Sequence, residues 1–303
     1  MAQPTYDVIV IGEGVSGLAA AGALAQAGLK VATLEAQLFG GLVINVNELE
    51  PRPEGHPASG AELASEMMQA NAERGVASIQ EAVTALRDAG GLKEAVTGSG
   101  IHSARHIIVA SGARLRKLGV PGETEFEGRG VSQCADCDGP MYQDEDAIVV
   151  GGGDSAFQEA LVLATYCRKV LLVHRGNRFR ASPHFVEQVK TNEKISIVRN
   201  AAIEGILGGK MVEKARIRHA DGSVEELPCA GVFAYIGLEP NSGFLPLSVE
   251  RSEGGFVRTD DAFETTLPGV SAIGAVRNGY GGTLTHALDE TQRVAQAVRA
   301  RLT

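Results

Sequence analysis

Asp7-Val-Ile-Val-Ile11 runs into Gly12-Glu13-Gly14-Val15-Ser16-Gly17 and then into an Ala- and Leu-rich stretch that reaches Ala27 before Gly28. A β-rich apolar run, a glycine turn and a helix-forming segment closed by glycine predict strand, tight turn, helix and C-cap. Val31-Ala-Thr-Leu34 follows as a second short strand and ends at Glu35, 23 residues after Gly12. The same grammar returns at Ala147-Ile-Val-Val150, then Gly151-Gly152-Gly153-Asp154-Ser155-Ala156, a helix through about Tyr166 and a strand Val170-Leu-Leu-Val173. The chain is therefore expected to hold two βαβ units of one design.

A Gly-rich strand-to-helix turn can serve close packing alone, but two copies in full context point to dinucleotide sites. The first glycine permits the tight turn and the second lets backbone approach a pyrophosphate. The third position lets helix pack on strand, with the phosphate at the positive helix end. Ala156 takes the third position in the second copy. The copies differ where a ribose is read. Counting 23 residues from Gly12 reaches Glu35, an acceptor suited to a free 2′-hydroxyl, whereas the same count from Gly151 reaches His174, followed by Arg175. Arg168 to Arg180 carries five basic residues and no acid. That stretch reads either as a solvated strand end or as a phosphate site. Jointly the two copies suggest FAD in the first unit and NADPH in the second.

Composition bounds the rest. At 303 residues the chain is expected to form two domains with ample cores. Lys plus Arg number 28 against 37 Asp plus Glu, a formal net charge of -9, which argues against a nucleic-acid or anionic-membrane binder. Four cysteines are too few for a secreted disulfide scaffold, and no Lys or Arg precedes Lys30, so a cytoplasmic setting is expected. No apolar run is long enough for a membrane-spanning helix.

Ile107-Ile-Val-Ala-Ser-Gly-Ala113 reads as a strand ending in small residues before the turn-rich Gly119-Val-Pro-Gly-Glu123, which places a domain crossing near Arg114. Phe233-Ala-Tyr-Ile-Gly-Leu-Glu-Pro-Asn241 repeats the theme. Gly269-Val-Ser-Ala-Ile-Gly274 then looks like one more strand before a final helix from His286 to about Leu302. The expected class is α/β, two Rossmann-like dinucleotide-binding domains with the second inserted into the first: residues 1–114 and 244–303 form the FAD domain, and 115–243 the NADPH domain.

Cys134-Ala135-Asp136-Cys137 precedes the second unit. A structural zinc site needs four ligands, usually from two such pairs, and Cys167 and Cys229 are isolated in apolar surroundings. A redox-active dithiol beside two dinucleotide sites has a physical logic, since hydride from NADPH can reduce a flavin and the flavin a disulfide.

The order Gly12-x-Gly14-x-x-Gly17, Phe39-Gly-Gly41, Ile108-Val-Ala-Ser-Gly-Ala113, Cys134-Ala-Asp-Cys-Asp-Gly139, Val150-Gly-Gly-Gly-Asp-Ser-Ala156, His174-Arg175 with Phe179-Arg180, and Ile236-Gly237 before Pro240-Asn241 closely resembles the low-molecular-weight thioredoxin reductases over nearly the whole chain. The resemblance implies a homodimeric, NADPH-dependent flavoprotein disulfide reductase with thioredoxin or a small disulfide as acceptor. It implies that Cys137 faces the flavin, Cys134 attacks the substrate and Asp138 carries the proton. It assigns FAD to Gly12, Gly14, Val15, Ser16, Gly17, Glu35, Ala36, Gly40, Gly41, Ser111, Gly112, Gly274 and Ala275. NADPH falls to Gly151, Gly153, Asp154, Ser155, His174, Arg175 and Arg180. Rival readings are a dithiol oxidase passing electrons to O2 and a low-turnover flavin sensor.

This chain departs from the family's pattern at Asp136, an added anion between the cysteines, and at Ala275, where the family has an Asp for the FAD ribityl chain. Other departures are Gly176, where it has a second Arg, and Glu50-Pro51-Arg52-Pro53. His286 is expected to cap the last helix or lie on the surface, with a place near the flavin as the sharper alternative.

Overall fold

The computed structural model describes residues 6–46, 49 and 59–302, so Glu50-Pro51-Arg52-Pro53 lies outside the described residues. The chain runs β1 (Tyr6–Ile11), α1 (Val15–Gln26), β2 (Val31–Leu34), α2 (Gly60–Glu73), β3 (Ala77–Ile79), β4 (Ala85–Ala89), β5 (Leu92–Val96), β6 (Ile101–Val109) and β7 (Ala113–Leu115). It continues through β8 (Val131–Ser132), α3 (Ala135–Asp138), β9 (Asp146–Gly151), α4 (Asp154–Tyr166), β10 (Lys169–His174), α5 (Pro183–Thr191), β11 (Ile195–Arg199), β12 (Ala201–Gly208), β13 (Val212–His219), β14 (Val224–Pro228) and β15 (Gly231–Tyr235). It closes with β16 (Leu238–Pro240), β17 (Val270–Ala272) and α6 (Leu284–Leu302). Two compact units result: Met1–Arg114 with Glu239–Thr303, and Leu115–Leu238.

In the first unit the described strands form one sheet in the order β3-β2-β1-β6-β5-β4, with β17 also on β6. β1 lies parallel to both neighbours, with Val8 opposite Val31 and Ile9 opposite Ile107. β6 uses its other edge twice: Ile101 to Ala104 pair antiparallel with β5, and Ile107 to Val109 pair parallel with β17. A central parallel strand covered on both faces is apolar at every position, which is why Val8, Ile9 and Val10 are all fully buried. Ile9 and Ile11 join the cluster on one face, while Val8 and Val10 pack on the other with Ala20 and Leu24 of α1 and Val294 and Val298 of α6. Each such Val, Leu or Ile side chain contributes about 2 kcal/mol by leaving water. The last helix thus completes the core begun by the first strand.

In the second unit β11-β10-β9-β15-β8 form a parallel sheet, and β12-β13-β14 an antiparallel one. Val149, Leu172 and Phe233 pack with Phe157 and Leu163 of α4 on one face, and Ile148, Val150, Val173 and Val232 pack with Ile203 and Ile217 on the other.

Two expectations shift. The stretch Ile107 to Ala113 is not one strand: β6 ends at Val109, and Gly112, at φ 65°, turns the chain before β7. The second crossing falls at Leu238 and Glu239 rather than near Gly243. β7 and β16 pair as a two-stranded ribbon, and Asn241 is already held by the first unit, since its Nδ2 donates to Ser111 O at 2.9 Å and Ser111 Oγ donates to Asn241 O at 2.7 Å.

Candidate active site

The first glycine turn gives each glycine a separate reason. Gly12 has φ 106°, and a Cβ there would stand 2.4 Å from Ala110 O. A Cβ on Gly17 would stand 1.9 Å from Gly12 O, so only hydrogen lets α1 pack on the turn. Gly14 is different: at φ -70° and ψ 175° its backbone suits any residue, and a Cβ would meet nothing nearer than Gly40 O at 3.9 Å. The space over Gly14 is an open cradle, as close approach of a ligand to backbone requires. Gly40 and Gly41 border it, with Gly40 N donating to Glu13 O at 2.6 Å and a Cβ on Gly41 falling 3.4 Å from Gly14 Cα.

Glu35, at the end of β2, accepts from Glu13 N at 2.8 Å and Gln37 N at 3.0 Å, which fixes its carboxylate beside the turn. Ala36 is exposed next to it, and Val15 and Ser16 are half-buried at the start of α1. Gly274 closes the other side: a Cβ on it would stand 2.5 Å from Ser16 Oγ. Ala275 is half-buried in the short 3-10 turn Gly274–Val276. Two acids here escaped sequence reasoning. Glu13, only 3% exposed, accepts from Thr33 Oγ1 and from Ser78 Oγ, and Glu290 accepts from Gly274 N at 2.8 Å while ion-pairing with Arg277. Neither belongs to a spacing rule; Glu13 occupies a position the glycine motif leaves free. His286 sits at the start of α6, where its N–H donates to Thr283 Oγ1 at 3.2 Å.

The second turn repeats the logic. A Cβ on Gly151 would meet Tyr235 O at 2.5 Å and the Ala156 Cβ at 2.6 Å, whereas Gly153, at φ -105° and ψ 178°, has nothing within 4 Å of the same position. The β10–α5 loop folds over the turn: Arg180 N and Ala181 N both donate to Gly152 O, at 2.7 and 3.1 Å. His174 is packed against Gly152 and its Nε2 donates to Arg178 O at 2.9 Å, so the ring shapes the loop. The Asp154 carboxylate is occupied by Ser182, accepting from its N–H at 2.5 Å and its hydroxyl at 2.9 Å. Ser155 stands exposed at the start of α4, and Arg175, Arg178 and Arg180 are exposed on the loop after β10 without a carboxylate partner among the described residues.

Cys134 and Cys137 form a disulfide, with Cα atoms 5.4 Å apart across the single turn α3. Cys134 is the N-cap, and its Sγ accepts from Cys137 N at 3.1 Å. A hydrogen bond of that kind favours the charged form of a thiol. Asp138 is half-buried at the end of α3, its N–H donating to Cys134 O at 3.2 Å, and its charge adds to burial in pushing the Tyr142 hydroxyl up. Asp136 points to solvent. The first peptide of α3 is anchored from below: Ala135 N donates to Glu159 Oε2 at 3.0 Å and lies 3.1 Å from Tyr235 Oη, which donates to the same carboxylate oxygen at 3.0 Å. Burial raises the Glu159 pKa, with the charge of Asp136 adding to it. Burial likewise pushes the Cys167 thiol up to about 11 and Cys229 up to about 12, which keeps both inert. Among the described residues no three His, Cys, Asp or Glu side chains come together to hold a metal ion, and no helix is long and apolar enough to cross a membrane.

The family described as pyridine nucleotide-disulphide oxidoreductase matches residues 6–301. A thioredoxin reductase of Treponema pallidum is 36% identical over 278 residues, covering 91% of this chain and 90% of that protein. One from Mycolicibacterium smegmatis is 41% identical over 278 residues, 90% of this chain and 88% of the relative. The crystal structure of Lactococcus lactis thioredoxin reductase superposes with a TM-score of 0.90 at 34% identity, covering 98% of this chain and 99% of that one.

Proposed function

The chain belongs to the pyridine nucleotide-disulphide oxidoreductase family and is a flavoprotein disulfide reductase that uses FAD and NADPH, and from that premise we propose how its own residues divide the work. FAD is held over Gly14, with Glu35 facing the adenosine ribose and Gly40, Gly41, Ser111, Gly112, Gly274 and Ala275 lining its course. The open cradle at Gly14, a glycine whose backbone does not need one, supports this placement. NADPH lies over Gly153, with its 2′-phosphate among Arg175 and Arg180, where guanidinium groups stand without carboxylate partners. Bound FAD supplies the passage of an electron pair from nicotinamide to sulfur.

The single observation that carries the reading is the Cys134–Cys137 disulfide mounted on the same unit as the second glycine turn. Cys134 is the attacking thiolate, since its sulfur receives the Cys137 N–H, and Cys137 is the cysteine that takes the electrons from the flavin, as the family resemblance implies. Asp138 delivers the proton to the leaving sulfur. Asp136, Asp138 and Glu159 make the surroundings acidic, which disfavours thiolate, and the N–H donated to Cys134 offsets part of that. The electron acceptor is a thioredoxin-like protein, which the names of the relatives support; the enzyme works as a homodimer, which the family resemblance implies, in the cytoplasm, which its few cysteines suit.

The dithiol-oxidase and sensor readings are not favoured, because neither needs an arginine-lined second nucleotide site. Steady-state NADPH oxidation tests the choice. With oxidised thioredoxin under nitrogen, sustained turnover is expected. Turnover that needs O2 and a reduced dithiol, or none with any disulfide, would overturn it.

A further inference from the structure

The β10–α5 loop is not the only source of positive charge at the second nucleotide turn. β11 lies beside β10 in parallel register, with Arg199 directly opposite His174. Parallel neighbours are about 4.8 Å apart, so the backbone of Arg199 stands one strand away from the strand end that carries Arg175. Its guanidinium lies over the ring of Phe179, 4.5 Å from the centroid. Phe179 is in turn fixed by the fully buried Phe157, at 4.8 Å between centroids, and by His174, at 5.1 Å. One Arg199 nitrogen reaches Asn177 O at 3.5 Å, a long contact that leaves most of its N–H donors toward solvent.

No carboxylate pairs with Arg199 among the described residues, nor with Arg175, Arg178 or Arg180, although the protein is acidic overall. Arg168, Arg216 and Arg218 in the same unit each have an acid partner. Three unpaired guanidiniums on the loop after β10 and a fourth at the end of the neighbouring β11 are a repulsive arrangement that an anion would relieve. Arg175 and Arg180 are exposed on a loop and must be ordered on binding. Arg199 is already stacked on an aromatic ring, which lowers the entropy lost when a planar fork closes on a phosphate.

We propose that Arg199 is a specificity-determining residue of the nucleotide site, a pre-positioned guanidinium that binds the 2′-phosphate of NADPH from the neighbouring strand while Phe179 holds it in place. The inference rests on reading the second βαβ unit as the NADPH site. It explains how the phosphate is gripped where Gly176 contributes no side chain beside Arg175.

The test uses the purified holoenzyme and two probes that carry no nicotinamide, adenosine 2′,5′-bisphosphate and 5′-AMP, with binding measured by calorimetry. The R199A variant is expected to weaken the bisphosphate about tenfold, the scale of one charge-assisted contact, while 5′-AMP changes less than about twofold. R199K should recover part of the loss, because it restores charge without the stacked fork, and F179L should give an intermediate loss with the same selectivity. R175A acts as the internal control. If R175A weakens the bisphosphate and R199A does not, the NADPH reading stands and the role of Arg199 is refuted. Equal weakening of both probes by R199A refutes it as well, since the residue would then only support the loop. A wild type that binds both probes alike, with R175A silent, overturns the NADPH reading and this inference with it.

Discussion

Gly14→Ala and Gly17→Ala change the same atom count in the same turn, and the structure assigns them opposite fates. At Gly17 the new methyl would stand 1.9 Å from Gly12 O, 3.0 Å from Gly12 C and 3.3 Å from the Ala110 Cβ. Backbone on one side and a packed strand on the other leave nothing flexible to yield, so α1 must retreat by about 1 Å. Overpacking of that kind costs about 1–3 kcal/mol or more. At Gly14 the backbone angles of -70° and 175° suit alanine, and the nearest atom is 3.9 Å away. Without ligand, Gly14→Ala should leave stability unchanged or raise it by about 0.5 kcal/mol through the unfolded chain. With FAD the methyl fills the cradle, and affinity should fall at least about tenfold, or about 1.4 kcal/mol. Urea unfolding of flavin-stripped protein and fluorescence titration with FAD measure both quantities. A Gly14→Ala protein that binds FAD as tightly as wild type would refute the placement, as would one whose flavin-free form loses as much stability as Gly17→Ala.

Asp138→Asn should slow reduction of a disulfide acceptor by roughly 10²-fold, the scale of a lost general acid, while single-turnover flavin reduction by NADPH stays unchanged; equal slowing of both steps would remove Asp138 from the sulfur chemistry. His106, 2% exposed with Nε2 3.0 Å from Ser271 Oγ, has its pKa pushed down to about 4 by burial, with Arg301 and Lys93 adding and Glu264 opposing. The unfolded chain therefore binds this proton first, so stability is full above about pH 6.5 and falls as pH drops toward 4, by up to about 3 kcal/mol from this group. Urea midpoints of wild type and His106→Gln across that window should show the variant with the shallower slope, and parallel slopes would contradict it.

The parts of the fold governed by short-range rules were legible in the residues. The spacing of Gly12, Gly14 and Gly17 announces a turn in which Gly12 and Gly17 have no room for a Cβ and Gly14 leaves space for a ligand, and the uniformly apolar Val8 to Ile11 announces a strand buried on both faces. Pro240-Asn241 looks like a turn after β15, which puts the expected return near Gly243, whereas the bond that already ties Asn241 to the first unit reaches Ser111, 130 positions away. The antiparallel strands β12, β13 and β14 carry mixed polar and apolar residues, without the uniform apolar run that marks β1. At the site, Glu159 and Tyr235 support Ala135 from elements far along the chain, and Arg199 joins the basic loop only through strand pairing. No motif spacing encodes such meetings, because they follow from packing of whole elements.

The central claim is that the electron pair of NADPH reaches the Cys134–Cys137 disulfide. The direct measurement is anaerobic addition of NADPH to the FAD-loaded protein, followed by rapid alkylation and mass spectrometry of each cysteine. Cys134 and Cys137 should be alkylated after NADPH and protected before it, while the buried Cys167 and Cys229 stay unmodified in the folded protein in both cases. A flavin that is bleached by NADPH while Cys134 and Cys137 remain bonded to each other would contradict the account.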